Sequence, residues 1–263
     1  MKPFPIYALI VFLFLAGCTS KDGDINLFSI EQDIDMGRQF DKQIVSDPSA
    51  YTVLERGEYP ELYARLDTMV NRILASPAVL HRDEFEWQLR VLHDDSVLNA
   101  FCTPGGFIYV YTGLIRFLDS EDQLAGVIGH EIAHADMRHS SEQLSKQYGL
   151  RLLIELVIGE SSLLGSVAGN LVELAFSRFD ESEADRMSVR YLYPTGYDAR
   201  GAGHFFEKMK ARGEDLGPLV FLSTHPDPGN RLEQIRQEWE RLGAQEGDRD
   251  SIRYEQLKGL LPE

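Results

Sequence analysis

The chain has 263 residues, enough for one sizeable core, and an ordinary globular composition with 43% hydrophobic and 26% charged residues. Its 26 Lys and Arg stand against 42 Asp and Glu, which gives a formal net charge of −16. Because phosphate contacts need clustered basic side chains, this balance argues against nucleic acid as a partner and against a polybasic membrane anchor.

The N-terminus has the pattern of a bacterial lipoprotein signal peptide. An apolar run from Ile6 to Ala16 is shorter than the ~20 residues that span a bilayer, but it has the length of a signal-peptide core. The run ends in Leu15-Ala16-Gly17-Cys18, which resembles a lipobox, where the peptide is cut before a cysteine that becomes lipidated. An ordinary signal peptide with a chance cysteine is the alternative. Thr19, in place of Asp, favours outer-membrane sorting by resemblance to Gram-negative lipoproteins.

We therefore predict a signal peptide over residues 1–17, a tether over 18–30 that begins at the lipidation site Cys18, and one domain over 31–263. The chain has 2 cysteines, so an acylated Cys18 leaves Cys102 without a partner for an intramolecular disulfide. Cys102 lies in an apolar segment, and we expect it to be a small buried hydrophobe.

The predicted elements of that domain are mostly helices with a small β-sheet. Residues 31–76 read as helical, with the clearest helix beginning at Tyr59-Pro60. A strand over 85–91 is followed by a strand, turn and strand over 99–111. Helical patterns then follow over 119–139, over 143–176 in one broken helix or two, and over 180–193, 198–212 and 230–242. The sequence thus predicts an α+β domain whose sheet lies beside the helix of residues 119–139.

That helix carries the segment His130-Glu131-Ile132-Ala133-His134. Residues four apart lie on one face of a helix, so both imidazoles can bind one Zn²⁺. Glu131 then lies beside the metal without ligating it, where it can take a proton from a water molecule. Surface histidines with a solvated glutamate are the alternative, but the motif has the apolar neighbours Leu124 and Val127, and burying polar groups without a partner is costly.

A catalytic zinc needs a third protein ligand. The candidates are His139, Glu181, Glu183, Asp185, His204 and His225. His139 is five residues past His134, which excludes the three-histidine pattern of metzincins, so we expect it to support a ligand or cap a helix.

Glu181 is the better third ligand. Glu181 and Asp185 are four apart on one predicted helix face, so Glu181 can reach the metal while Asp185 accepts a hydrogen bond from a ligand histidine. Glu183 would point away, as a solvated or supporting carboxylate.

Four ordered blocks resemble one family of metallopeptidases. They are residues 99–114, residues 124–134 with the two histidines, residues 181–186, and Thr224-His225-Pro226 with Arg231. Over residues 95–240 the chain is similar to the HtpX-like and CAAX prenyl endopeptidase-type gluzincins, and most like their periplasmic lipoprotein branch. The resemblance implies a zincin-like domain with one zinc ion per chain, Glu181 as the third ligand, and a substrate-binding strand near residues 99–111. It also implies that His225 can occupy the open metal position and gate the enzyme; a loop histidine that caps the following helix is the alternative.

The sequence therefore predicts a zinc metalloendopeptidase of the cell envelope, lipid-anchored on the periplasmic face of the outer membrane. Its expected partners are polypeptide substrates, misfolded or assembling envelope proteins among them, and the outer-membrane assembly machinery. A latent or non-proteolytic zinc-stabilised chaperone or binding lipoprotein is the alternative. The oxyanion-stabilising residue is unassigned, with Tyr191, Tyr193 and Arg178 nearby in sequence.

Overall fold

The structure, a computed structural model, describes residues 26–158, 163, 166–167, 175–212, 220–227 and 229–263. The predicted signal peptide and the lipidation site Cys18 lie outside these residues. In chain order the elements are α1 (Ile30–Ser46), α2 (Pro60–Leu74), β1 (Gln88–Leu92), β2 (Ala100–Thr103), β3 (Phe107–Tyr111), α3 (Thr112–Phe117), α4 (Glu121–Asp136), α5 (His139–Ile158), α6 (Arg178–Leu192), α7 (Gly201–Arg212), α8 (Val220–Thr224), α9 (Arg231–Arg241) and α10 (Ser251–Lys258). Among the described residues, no helix is both long and apolar enough to cross a bilayer.

The strands form one sheet in the order β1-β3-β2. β1 pairs parallel with β3, with Gln88 opposite Phe107, and β2 pairs antiparallel with β3, with Ala100 opposite Val110. β2 therefore lies at an edge and packs beside α4. The predicted α+β class, mostly helical with a small sheet next to the motif helix, is confirmed.

The sheet is covered on both faces. Alternating side chains such as Val91 and Ile108 join the larger core of α2, α4, α6 and α7, while Leu92 and Tyr109 join a smaller core with α1 and α5. This alternation follows from the two-residue period of a strand. Cys102 is buried and its thiol is free, as expected for a small hydrophobe.

Three details of the predicted elements are wrong. Residues 47–59 are not helical, and Val53 forms an antiparallel bridge with Leu92 that adds to the edge of β1. The helix predicted to end at His139 ends at Asp136 instead. The C-terminal helix α10 was not predicted; its face is only weakly amphipathic, and Tyr254 and Leu257 are its two buried residues.

A left-handed residue separates α4 from α5. Arg138 has φ 64°, a conformation that few residues other than glycine adopt. Its Nε donates to Oδ2 of Asp33 on α1 at 2.6 Å, and its guanidinium also donates to the carbonyl of Phe28. This tertiary contact stabilises a break that the local sequence does not encode.

The motif helix crosses α7 at very short range because both helices have glycine at the crossing. A Cβ atom on Gly126 would lie 2.0 Å from the backbone nitrogen of Ala202, and one on Gly201 would lie 1.8 Å from the carbonyl oxygen of Asp122. The crossing therefore fixes how closely α4, with the motif residues, lies to the C-terminal helices.

Replacing Gly126 with alanine should lower the free energy of unfolding by about 1–3 kcal/mol or more, because the clash is with backbone that cannot rotate away. Urea unfolding monitored by circular dichroism would measure this. Gly57→Ala is the matched control, since its Cβ would meet no atom within 4 Å. Equal midpoints for the two variants would contradict the tight crossing.

Candidate metal centre

Helix α4 aligns the two motif histidines. It is buried from Asp122 to Asp136, as a helix in the middle of a core must be. The four-residue spacing places the imidazoles of His130 and His134 one turn apart, edge to face, with their Nε2 atoms 3.0 Å from each other. Glu131 follows on the same buried helix and is fully enclosed.

Helix α6 brings a carboxylate to these two nitrogens. It begins with a capping box, in which Ser177 and Asp180 each accept a hydrogen bond from the other's backbone N–H. Glu181 is the next residue, and its Oε2 and Oε1 lie 3.4 Å from Nε2 of His130 and 3.3 Å from Nε2 of His134. The predicted convergence of two separate helices is thus present in the structure.

A fourth side chain completes the cluster. His225 follows the short helix α8, and its Nδ1 lies 3.0 Å from Oε1 of Glu181 and 3.4 Å from Nε2 of His130. Phe221, one turn earlier, stacks on the His225 ring at 4.4 Å between centroids, and Phe176 stacks on His134 at 3.8 Å. Two aromatic rings therefore hold two of the imidazoles in place.

The spacing of these donors fits a tetrahedral metal site. The ligand atoms of His130, His134, Glu181 and His225 all lie within 4.8 Å of one another, and the closest separations are 3.0–3.4 Å. Bonds of about 2.0–2.1 Å in a tetrahedron place neighbouring ligands about 3.3 Å apart. Imidazole and carboxylate donors in this number suit Zn²⁺ well.

The charges of the buried cluster also call for a divalent cation. Glu131, Glu181 and Asp185 are each 0% exposed, and the matching buried guanidinium is Arg231 at 4%. Its Nη2 and Nε lie 2.7 and 2.9 Å from the two carboxylate oxygens of Asp185, and Nη2 lies 3.1 Å from Oε2 of Glu181. Arg231 balances one of these three acidic groups, and a divalent cation would offset the negative charge that remains.

Glu131 is poorly satisfied without such a cation. Neither of its carboxylate oxygens accepts a hydrogen bond from the described residues, although Nε2 of His225 lies 3.4 Å from Oε1. Burial raises the pKa of Glu131 to about 7. A buried carboxyl group with this pKa is typical of functional sites, because it can both accept and release a proton near neutral pH.

His134 and Glu181 have the charge states that a metal site needs, whereas Asp185 and Glu181 outweigh burial and raise the pKa of His130. Burial holds the pKa of His134 well below its usual value, which keeps the imidazole neutral and able to ligate. Burial acts to raise the pKa of Glu181, but the nearby His225, His130 and His134 outweigh it and hold that pKa well below its usual value. Glu181 is therefore a carboxylate.

Each motif histidine has a partner on its second ring nitrogen. Oδ1 of Asp185 lies 3.0 Å from Nδ1 of His130, and Nδ1 of His139 lies 3.0 Å from Nδ1 of His134. Oε2 of Glu183 lies 3.4 Å from Nε2 of His139. Such partners orient ligand histidines and fix their tautomers. Glu183, expected to be solvated or supporting, thus lies behind His139 instead of facing open solvent.

Some candidate residues lie elsewhere. His204 contacts Oδ2 of Asp122 at 2.7 Å, at the other end of α4. The hydroxyl of Tyr191 donates to Asp136 at 2.5 Å, and that of Tyr193 accepts from the backbone of Gln245. Neither tyrosine hydroxyl is therefore directed at the metal centre.

Arg231 is the site residue that sequence reasoning gave no role. It was part of the Thr-His-Pro block, and a lone arginine six residues after a histidine carries no chemical pattern of its own. In the structure it contacts Glu181 and Asp185, and Nη1 approaches the carbonyl oxygen of His225 at 3.5 Å. One signal in the sequence could have indicated a role for Arg231: two carboxylates predicted to be buried together need a cation beside them.

Comparison with known proteins agrees with this geometry. Residues 60–239 match the family described as Peptidase family M48. The chain belongs to peptidase family M48. The predicted resemblance to zincin-type metallopeptidases is thereby confirmed. M48 peptidases are metal-dependent, which accords with the cluster of His130, His134 and Glu181.

Several M48 relatives match at moderate identity. The chain is 36% identical over 167 residues to the mitochondrial metalloendopeptidase OMA1 of Arabidopsis thaliana, covering 62% of this chain and 34% of that protein. It is 30% identical over 215 residues to the Schizosaccharomyces pombe protein of the same name, covering 78% and 62%. The beta-barrel assembly-enhancing protease of Escherichia coli is 28% identical over 226 residues, covering 79% and 44%. The chain thus spans about one third to three fifths of the length of these relatives.

Proposed function

We propose that this M48 chain is a zinc-dependent endopeptidase of the bacterial cell envelope. The observation that carries the proposal is the convergence of His130, His134 and Glu181 on one point beside the buried carboxyl group of Glu131. Two imidazoles, one carboxylate and an adjacent base are the donor set of a catalytic zinc site.

In this mechanism, bound zinc supplies the Lewis acidity that polarises the scissile carbonyl group. Glu131 accepts a proton from the attacking water and then delivers it to the leaving amine, for which a pKa near neutrality suits it. Asp185 and His139 act as orienting partners of His130 and His134, and Arg231 balances the charge of the two carboxylates on α6. Helix α4, buried from Asp122 to Asp136, shields one side of these groups from bulk solvent.

The test is metal analysis of the purified chain together with cleavage of casein or a denatured porin, with and without chelator. We expect one zinc per chain and chelator-sensitive cleavage that added zinc restores. A chain that cleaves these substrates equally well after its metal has been removed would contradict the proposal.

His225 supports a gated form of this enzyme. Its Nδ1 takes a place in the cluster where a catalytic zinc keeps an open position, so that the described conformation has four protein donors. We propose that this conformation is latent, and that His225 must leave the cluster before water and substrate can enter.

Replacing His225 with alanine should therefore raise casein cleavage at least severalfold, because it vacates one donor position while three ligands remain. Zinc content should stay at one ion per chain. Ser223→Ala, an exposed neighbour on α8, is the control and should keep the starting rate.

The same variant separates this function from the second candidate. The fourfold donor set also favours a zinc-stabilised chaperone or binding lipoprotein, because four protein ligands are typical of structural zinc sites. If both the original chain and His225→Ala bind zinc tightly yet cleave no substrate, the binding function is favoured and the gated enzyme is contradicted.

The envelope location rests on sequence and on relatives. From the lipobox-like segment at Cys18 we propose a lipid anchor and a tether over residues 18–30. The chain would then lie on the periplasmic face of the outer membrane. A relative named for enhancing beta-barrel assembly makes envelope polypeptides the proposed substrates and the outer-membrane assembly machinery a proposed partner.

Metabolic labelling with palmitate should mark the chain and should not mark Cys18→Ser.

A further inference from the structure

Helix α5 carries a row of exposed aliphatic side chains. Leu150, Ile154 and Ile158 are 63%, 49% and 59% exposed, and their spacing of four places them along one side of the helix after the break at Gly149. Single exposed aliphatics are ordinary on a protein surface, whereas several in a row mark an interaction site.

The charges on this side of α5 differ from those of the chain as a whole. Lys146 and Gln147, before the break at Gly149, and Arg151, after it, are also exposed. The two carboxylates of α5, Glu142 and Glu155, are 4% and 7% exposed. Lys146 Nζ lies 3.0 Å from Oε1 of Glu142 and Arg151 Nε lies 4.0 Å from Oε1 of Glu155, so each basic group is paired with a carboxylate of its own helix. The side chains exposed on the outward side of α5 are nevertheless aliphatic or basic, in a chain of net charge −16. Apolar residues flanked by Lys and Arg are typical of helices that lie in a membrane interface.

The start of the described chain is attached to this helix. The Asn26 side chain donates to Oγ of Ser141 at 2.8 Å, and the backbone N–H of Leu27 donates to Oγ of Ser145 at 3.0 Å. Cys18 precedes Asn26 by eight residues, which span at most about 29 Å when extended. A lipid at Cys18 would therefore hold α5 close to the bilayer.

We propose that this side of α5 docks on the anionic bilayer to which the chain is anchored, a proposal that rests on the lipid anchor of the proposed function. We define the α5 outer face by its exposed residues, which are Lys146, Gln147, Leu150, Arg151, Ile154 and Ile158. Its aliphatic side chains enter the headgroup boundary, and its basic side chains contact lipid phosphates.

Docking on this face would fix the height of the metal centre above the bilayer. α5 begins at His139, whose ring contacts the proposed ligand His134 at 3.0 Å. The proposed substrates are then polypeptide segments that lie at the membrane surface.

The test uses the full acylated chain in vesicles of phosphatidylethanolamine and phosphatidylglycerol. Single cysteines at 150 and 154, introduced as Leu150→Cys and Ile154→Cys, carry an environment-sensitive fluorophore, since Cys102 is buried and Cys18 would be acylated. Doxyl-labelled lipids then quench any fluorophore at the bilayer. Ile252→Cys is the matched control, an isoleucine 75% exposed on α10 beside Asp248 and Asp250.

We expect fluorophores at 150 and 154 to shift to shorter wavelength and to be quenched several times more than the one at 252. Adding Arg151→Gln to a labelled variant should lower the equilibrium constant for docking about fivefold. Vesicles without phosphatidylglycerol should also lower this constant.

Three results would overturn the docking proposal. Equal, weak quenching at all positions in vesicle-bound protein would reject docking and leave the anchor intact. A wavelength shift at 150 and 154 without lipid quenching would indicate a protein contact, a second copy of the chain included. Loss of the chain from the vesicles would reject the anchor as well. Casein cleavage measured on the same samples reports on the peptidase proposal separately.

Discussion

Glu131→Gln is expected to lower kcat/KM for casein by about 10²–10⁴-fold, the usual contribution of a positioned general base. Glutamine keeps the shape of the side chain but cannot accept the proton of the attacking water. Because the Glu131 carboxyl group is not among the four clustered donors, zinc content should remain at the original level. Steady-state cleavage and metal analysis on the same preparation measure the two quantities.

The control for this variant lies on the same helix. Glu121→Gln changes a carboxylate in the first turn of α4, ten residues from Glu131 and hence about 15 Å along the helix axis. Its cleavage rate should match that of the original chain. A Glu131→Gln chain that cleaves at the original rate would remove the general base from the mechanism.

Removing the metal is expected to lower the melting temperature by about 10 °C. A ligand present at about 1,000 times its Kd adds about 4 kcal/mol to folding stability, and each kcal/mol shifts Tm by about 2–4 °C in a domain of this size. The physical cause is the excess of buried carboxylates around Arg231, which the metal neutralises. Differential scanning calorimetry with and without chelator measures the shift.

A matched pair of variants locates this effect. Glu181→Gln removes a proposed ligand, so chelator should change its Tm little. Glu183→Gln, two residues along the same helix and outside the four donors, should keep most of the chelator-dependent shift. An unchanged Tm for the original chain after full metal removal would contradict a stabilising ion at this site.

The sequence predicted the parts of the site that depend on local geometry. His130 with His134, and Glu181 with Asp185, each lie four apart, and a helix places such pairs on one face whatever surrounds it. Both pairs occupy the helices predicted for them, and the structure brings the two faces together.

The features that sequence reasoning missed depend on distant contacts. The parallel pairing of β1 with β3 joins segments with a whole strand between them, and no local pattern distinguishes it from antiparallel pairing. Arg138 adopts a positive φ because Asp33, 105 residues earlier, binds its side chain. Arg231 likewise becomes a site residue through carboxylates on another helix.

The bond between Arg138 and Asp33 has a practical consequence for shortened forms of this protein. Asp33 is 1% exposed, and the Arg138 guanidinium also donates to the carbonyl of Phe28, so the stretch before and within α1 holds the left-handed residue between the motif helix and α5. A shortened chain that begins at residue 60, where the M48 match starts, would lack Asp33 and Phe28. Arg138 would then keep its unfavourable backbone conformation without the hydrogen bonds that stabilise it. A version that begins ahead of Asn26 keeps that support.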